Sequence, residues 1–194
     1  RPRQMNMAGD RLYAARARKF ARRLLEWYEK NARDLPWRRD GEPIFRLVVT
    51  EVLLQRTKAE TVASVYDSFF AQYPDWSALA LAPIKKIEES LKPIGMWRQR
   101  APRLQSLAKS VVDRGGELPR RRSELQQLSG IGQYVASAAL LFQGAENAPL
   151  LDAGMARVLE RYFGSRKLAD IRYDKYLQQL AKAVVSTNDP IKTN

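Results

Sequence analysis

Leu128-Ser129-Gly130-Ile131-Gly132-Gln133-Tyr134 is the stretch from which this chain is best understood. A short helical segment, Arg122 to Gln127, runs into it, and a helix of small residues, Gln133 to Phe142, leaves it. Two glycines one residue apart allow backbone angles closed to other residues and strip side chains from the turn. Because the turn opens a helix, its free N–H groups and the positive end of the helix dipole face outward together. Such a place takes an anion. In a chain this basic the anion expected is a DNA phosphate, so Leu128, Ser129, Gly130, Ile131, Gly132 and Gln133 are candidate DNA-binding residues.

The charge points the same way. Lys and Arg number 34 against 21 acids, a net charge of +13. That excess does not set the fold, but it favours polyanionic partners and makes binding depend on salt. The length suits one domain or two small ones with a real core. No apolar run is long enough to span a membrane, and the start, Arg1-Pro2-Arg3-Gln4, lacks the apolar centre of a signal peptide. Cysteine and histidine are both absent. Disulfides, thiol nucleophiles, Ser–His and Cys–His catalysis and the usual zinc sites are therefore excluded within these residues. Chemistry must come from carboxylates, Lys, Tyr, Ser or Thr.

Along the chain the pattern is helical. Arg11 to Lys30 carries Leu12, Phe20, Leu24, Trp27 and Tyr28 at helix-like spacings. Asp34 to Gly41 reads as a loop. Phe45 to Gln55 reads as a buried helix and Lys58 to Tyr73 as an amphipathic one stopped by Pro74. Trp76 to Leu81 is short, and a further segment runs from Pro83 to near Gly95. Arg98 to Arg114 stops at Gly115-Gly116, and Ala153 to Phe163 and Tyr173 to Val185 follow the hairpin. Strand alternation is absent, so the expectation is a compact all-α fold.

Two carboxylates stand out. Asp152 precedes Ala-Gly-Met-Ala-Arg-Val-Leu and reads as the N-cap of a helix, where an amide hydrogen bond and the helix dipole keep it ionised. By position alone it reads as a plain cap, as most Asp residues at helix starts do. Glu51 lies in an apolar run and shares a side with Leu47 and Leu54. Burying it is costly unless it is paired or functional, and desolvation suits a carboxyl to donate a proton or orient water.

The hairpin followed by Asp152 resembles the helix-hairpin-helix DNA glycosylases, the group that includes endonuclease III. Three further segments resemble its mismatch branch: Leu35-Pro36-Trp37-Arg38, Thr50 to Thr57 around Glu51, and Leu151 to Leu159 around Asp152. The resemblance runs from about Leu24 to Asn194. It implies two lobes with DNA across the cleft, a six-helix lobe over 40–149 that ends with the hairpin, and a second lobe from 1–39 plus 150–194. Glu51, Tyr134 and Asp152 would be the catalytic residues. Asp152 would stabilise an oxocarbenium-like sugar as an N-glycosidic bond breaks. Tyr134 stands where strand-cutting members carry a Schiff-base Lys, and no Lys lies between Lys109 and Lys167. A monofunctional glycosylase is implied, with Tyr134 lining a base pocket to which Trp37 and Arg38 also belong. Read as a residue alone, Tyr134 is equally a packing aromatic.

The target base must leave the stack. Gln55, Arg56, Trp97 and Arg98 resemble the loops that probe the opposite base and wedge the duplex, although Trp97 taken alone is as well read as a core residue. Ala153, Ile94 to Arg100 and Glu160 to Gly164 resemble the archaeal thymine/uracil branch, whereas Leu151 and Gln55 resemble the adenine branch. The expectation is a base-excision enzyme for T or U opposite G. The alternatives are an adenine glycosylase acting opposite 8-oxoguanine or G, and a non-catalytic module that binds distorted DNA. Gly154 departs from the Asn usual in both branches. No cofactor or metal is expected within this chain; a [4Fe-4S] cluster is implied only if a cysteine-bearing segment follows Asn194. The resemblance also implies double-stranded DNA with a mismatched or damaged base as partner, a downstream AP endonuclease and a monomeric state. With no membrane partner and no targeting signal, it implies a cytoplasmic, nucleoid-associated place in a prokaryote.

Overall fold

Val48, Val49, Val52 and Leu53 are all buried, and the helix that carries them, α2 (Ile44–Leu54), is apolar on nearly every side. A helix of that kind has to sit among others. In the computed structural model it packs against α3 (Ala59–Gln72), α6 (Trp97–Val112) and α8 (Gln133–Phe142). Three shorter helices complete the group: α4 (Trp76–Leu81), α5 (Ile84–Leu91) and α7 (Arg122–Leu125). The structure describes residues 7–187 and 189–194, with side chains from Tyr13 onward. Among the described residues every regular element is helical, two of them single 3-10 turns at Pro36–Arg38 and Lys92–Ile94. The Arg1-Pro2-Arg3-Gln4 start and the Leu12 side chain lie outside the described residues. Among the described residues no helix is long and apolar enough to cross a membrane.

The chain divides into two compact units, Asp34–Ala145 and Arg1–Arg33 with Glu146–Asn194. The first holds a large core in which rings pack edge to face: Phe45 on Trp76 at 4.7 Å, Tyr66 on Phe70 at 4.7 Å, and Phe69 on Phe70 at 5.3 Å. Each such ring stabilises the fold by about 1.5–3 kcal/mol through burial alone. The Leu35-Pro36-Trp37-Arg38 loop falls in this unit and not with the N-terminal helix, because its side chains pack here. Leu35 is buried, Trp37 lies 5.8 Å from the Tyr66 ring, and Arg39 pairs with Asp67 at 3.0 Å.

The second unit is built on α1 (Met7–Asn31), α9 (Ala153–Phe163), α10 (Lys175–Val185) and α11 (Pro190–Thr193). Ala17 and Ala21 let α1 approach α10, where Leu177, Leu180, Ala181 and Val184 share their core. Phe20 closes the gap to Tyr162 and Phe163. Spacing puts Trp27 on the apolar stripe, yet it is 59 % exposed. The buried face follows the small residues Ala17 and Ala21 and leaves that ring aside. Asn194 ties down the stretch before α9, accepting from the Leu150 amide and donating to the Ala148 carbonyl.

Candidate active site and nucleic-acid interface

Glu51 sits on α2, a largely buried helix, and is 8 % exposed. Tyr134 is the second residue of α8, so the packing of α2 on α8 brings the two together. The Tyr134 hydroxyl donates to Glu51 Oε2 at 3.0 Å. A phenol that donates to a buried carboxylate fixes its orientation and lowers the cost of burying it. Tyr134 is therefore more than an aromatic spacer, although its ring also packs on the core.

The hairpin before α8 is anchored from inside. The side chains of Leu128 and Ile131 are buried, and the Ile131 amide is spent on the Leu128 carbonyl at 3.3 Å. These two residues hold the turn in place, while Ser129, Gly130, Gly132 and Gln133 are exposed. The two glycines differ from one another. Gly130 has φ +79°, a conformation that favours glycine, whereas Gly132 has extended backbone (φ −87°, ψ −177°) that any residue adopts. As N-cap of α8, Gly132 supplies no side-chain acceptor, so the first amides of that helix are left for an external anion.

Two neighbouring loops carry the other candidates. Gln55 and Arg56 follow α2, both exposed, with Arg56 in the left-handed region at φ 58°. Trp97 opens α6, but it is half-buried against the core, and the Arg98 guanidinium lies 4.4 Å from its ring centre. Met96, absent from the sequence-derived candidates, is more exposed than Trp97: it is 42 % exposed with φ 50°. The available signal is a Gly followed by a large apolar residue and an aromatic. Choosing between the two depends on backbone angles that composition does not reveal. Trp37 is half-buried against Tyr66, and Arg38 is exposed.

Asp152 belongs to the other unit. It is the N-cap of α9 as expected, accepting from the Met155 amide at 2.7 Å through Oδ1, and it is exposed. Gly154 lies against the cap: a Cβ there would stand 3.2 Å from Asp152 Oδ1, tighter than ordinary contact, and 3.4 Å from Oδ2. With no cysteine, these residues have no thiolate to hold an iron–sulfur cluster.

The model of the HhH-GPD superfamily of base excision DNA repair proteins matches residues 49–186, and the chain belongs to that family. It is 35 % identical over 168 residues to a thymine/uracil-DNA glycosylase of Methanothermobacter thermautotrophicus, covering 86 % of this chain and 75 % of that protein. It is 41 % identical over 145 residues to a thymine-DNA glycosylase of Aeropyrum pernix, covering 74 % of this chain and 65 % of the relative. The fold matches the solved structure of a thermostable thymine-DNA glycosylase with a TM-score of 0.84 and 32 % identity, over 93 % of this chain and 83 % of that one. Adenine DNA glycosylases match as well; that of Homo sapiens is 35 % identical over 73 % of this chain and 28 % of its own length.

Proposed function

We propose that this protein is a monofunctional mismatch DNA glycosylase that removes thymine or uracil opposite guanine. The observation that carries this reading is the Tyr134–Glu51 hydrogen bond at the start of the hairpin helix, with Tyr in the place a Schiff-base Lys would need. The target nucleotide is extruded from the duplex, at a cost that is lowest for a mispaired base. The amides opening α8 hold a phosphate, while Met96, Gln55 and Arg56 enter the vacated space. An arginine there offers paired donors to the orphaned guanine.

The bond broken is that between the sugar C1′ and the pyrimidine N1, whose electron pair departs with the base as a stabilised anion. The Asp152 carboxylate stabilises the positive sugar. Glu51, held by Tyr134, orients the water whose oxygen bonds to C1′ and whose proton ends on the leaving base or the carboxylate. The product is an abasic site in an intact strand, to be opened by an AP endonuclease.

Single-turnover excision on end-labelled duplexes tests this. The set holds T or U opposite G, A opposite G, A opposite 8-oxoguanine and matched controls, each split with and without hot alkali. Breaks at T or U that need alkali are expected. Breaks without alkali would contradict the role given to Tyr134, excision confined to A would move the protein to the adenine branch, and tight mismatch binding with no breaks would make it a binding module.

A further inference from the structure

Among the described residues, Arg56 (φ 58°) and Met96 (φ 50°) are the two non-glycine residues with left-handed backbone. They lie on different loops, one closing α2 and one opening α6, and one buried side chain spans both. Arg100, 4 % exposed, donates through Nη1 to the carbonyls of Ile94 and Gly95 at 3.0 Å each, and through Nη2 to the carbonyl of Gln55 and the hydroxyl of Thr57. Two of these acceptors bracket Arg56 and two lead directly into Met96. All four are neutral oxygens, so among the described residues the guanidinium bonds to no carboxylate that would offset its desolvation. Burial pulls its proton affinity below the ordinary arginine range.

A buried cation of this kind is a costly way to fill space, and an apolar residue would do so better. What guanidinium supplies and an apolar or ammonium group does not is a rigid planar fork that bonds two loops at once. Backbone held in sparsely populated angles persists where surrounding structure over-determines it, and such residues gather where function needs them.

We propose that Arg100 is a positioning residue that fastens the Gln55–Thr57 and Ile94–Met96 loops into one rigid wedge, so that extrusion of a stacked base depends on it while cleavage of the glycosidic bond does not. This rests on the reading that these loops engage mismatched duplex DNA. Freed from Arg100, each loop relaxes to ordinary angles, and Arg56 and Met96 no longer arrive together at the gap left by the base.

The test compares two substrates: T opposite G in a fully paired duplex, and the same T in an unpaired bubble where extrusion is already done. Arg100→Lys keeps the charge but not the fork. It is expected to slow single-turnover excision from the duplex about tenfold, the scale of one or two lost hydrogen bonds, and to change excision from the bubble by less than about twofold. Thr57→Val removes one acceptor and leaves the cation bonded. It is expected to move the duplex rate the same way by a smaller factor, and it decides the matter if Arg100→Lys does not fold. Equal losses on both substrates, or none on the duplex, overturn the proposal. A parent protein inactive on both substrates overturns the enzymatic reading itself, an outcome separate from an active parent whose duplex-to-bubble ratio the variants leave unchanged.

Discussion

The two units begin their helices in opposite ways. In Arg1–Arg33 with Glu146–Asn194, α9, α10 and α11 each start from an aspartate whose carboxylate accepts an amide of the first turn: Asp152 from Met155, Asp174 from Leu177 and Asp189 from Lys192. In Asp34–Ala145 only α4 has such a cap, from Asp75. There α2, α3, α5, α6, α7 and α8 start from Pro43, Lys58, Pro83, Met96, Arg121 and Gly132 with no side-chain acceptor. Capping thus differs between the two units. Among the described residues, one unit satisfies the starts of α9, α10 and α11 with its own carboxylates. The other leaves amides without a side-chain acceptor at α6 and α8, next to the exposed residues that the family resemblance assigns to DNA.

The severest trial of this division lies at the caps themselves, because Asp152 and Asp174 share a local geometry and are given different work. Asp152→Asn is expected to lower single-turnover excision on the order of a thousandfold while the thermal midpoint hardly moves, since Asn also caps. Asp174 is buried and accepts amides from Leu177, Leu168 and Lys167, which hold its pKa below the usual carboxylate value. A depressed folded pKa contributes stability that is present above the unfolded value, about 4, and lost as pH falls through the folded one. Asp174→Asn should therefore lower the midpoint at neutral pH, with the gap to the parent closing in acid, and excision at permissive temperature should survive. Thermal melts at both pH values read this. If the two variants exchange behaviour, Asp152 is a cap and nothing more.

Next in size are the groups in the first unit. Glu51→Gln is expected to slow excision about a hundredfold and Tyr134→Phe about tenfold, the range of general acid–base groups and of a hydrogen bond to a charged group. Additive losses in the double variant would show that the pair does not act as a unit. Gly154→Ala separates the capping duty of Asp152 from its chemistry. Alanine favours a helix, so the midpoint should hold or rise, yet its Cβ would press on Asp152 and excision should fall several-fold. Smallest is the hairpin pair. Gly130→Ala is expected to cost about 1–2 kcal/mol from its positive φ and to weaken duplex binding, whereas Gly132→Ala, with open space around it, should stay within about 0.5 kcal/mol in chemical denaturation.

A local pattern with one structural outcome is readable from sequence. Apolar spacing places α2, α3 and α8 to within a residue or two at either end, and a Glu inside a valine-rich run marks Glu51. The N-cap at Asp152 follows from an acid ahead of a helical stretch. What escapes such reading depends on distant residues. Arg100 reads as one more surface cation until the two loops it serves are seen to converge on it. Trp97 draws attention ahead of Met96 because aromatic content is visible in a sequence and a left-handed φ is not. Trp27 falls at the same helix-like spacing as Phe20 and Leu24, and spacing cannot tell a stripe of alanines, which lets helices approach, from a stripe of large residues beside it. The capping asymmetry is written in plain residues, yet it has meaning only once the chain is divided into its two units.

The exposed tip at Met96 also bears on redox chemistry. The chain contains no cysteine, so oxidants find sulfur only in its methionines; of the two whose side chains are described, Met155 is half-buried and Met96 is open. Conversion of that thioether to the sulfoxide turns an apolar point into a polar, chiral one without disturbing the core beneath. Mild peroxide should then impair excision from paired duplex more than from a bubble, methionine sulfoxide reductases should restore it, and Met96→Leu should be indifferent to the treatment. An exposed methionine in such a loop would thus link engagement of the duplex to the oxidants around it.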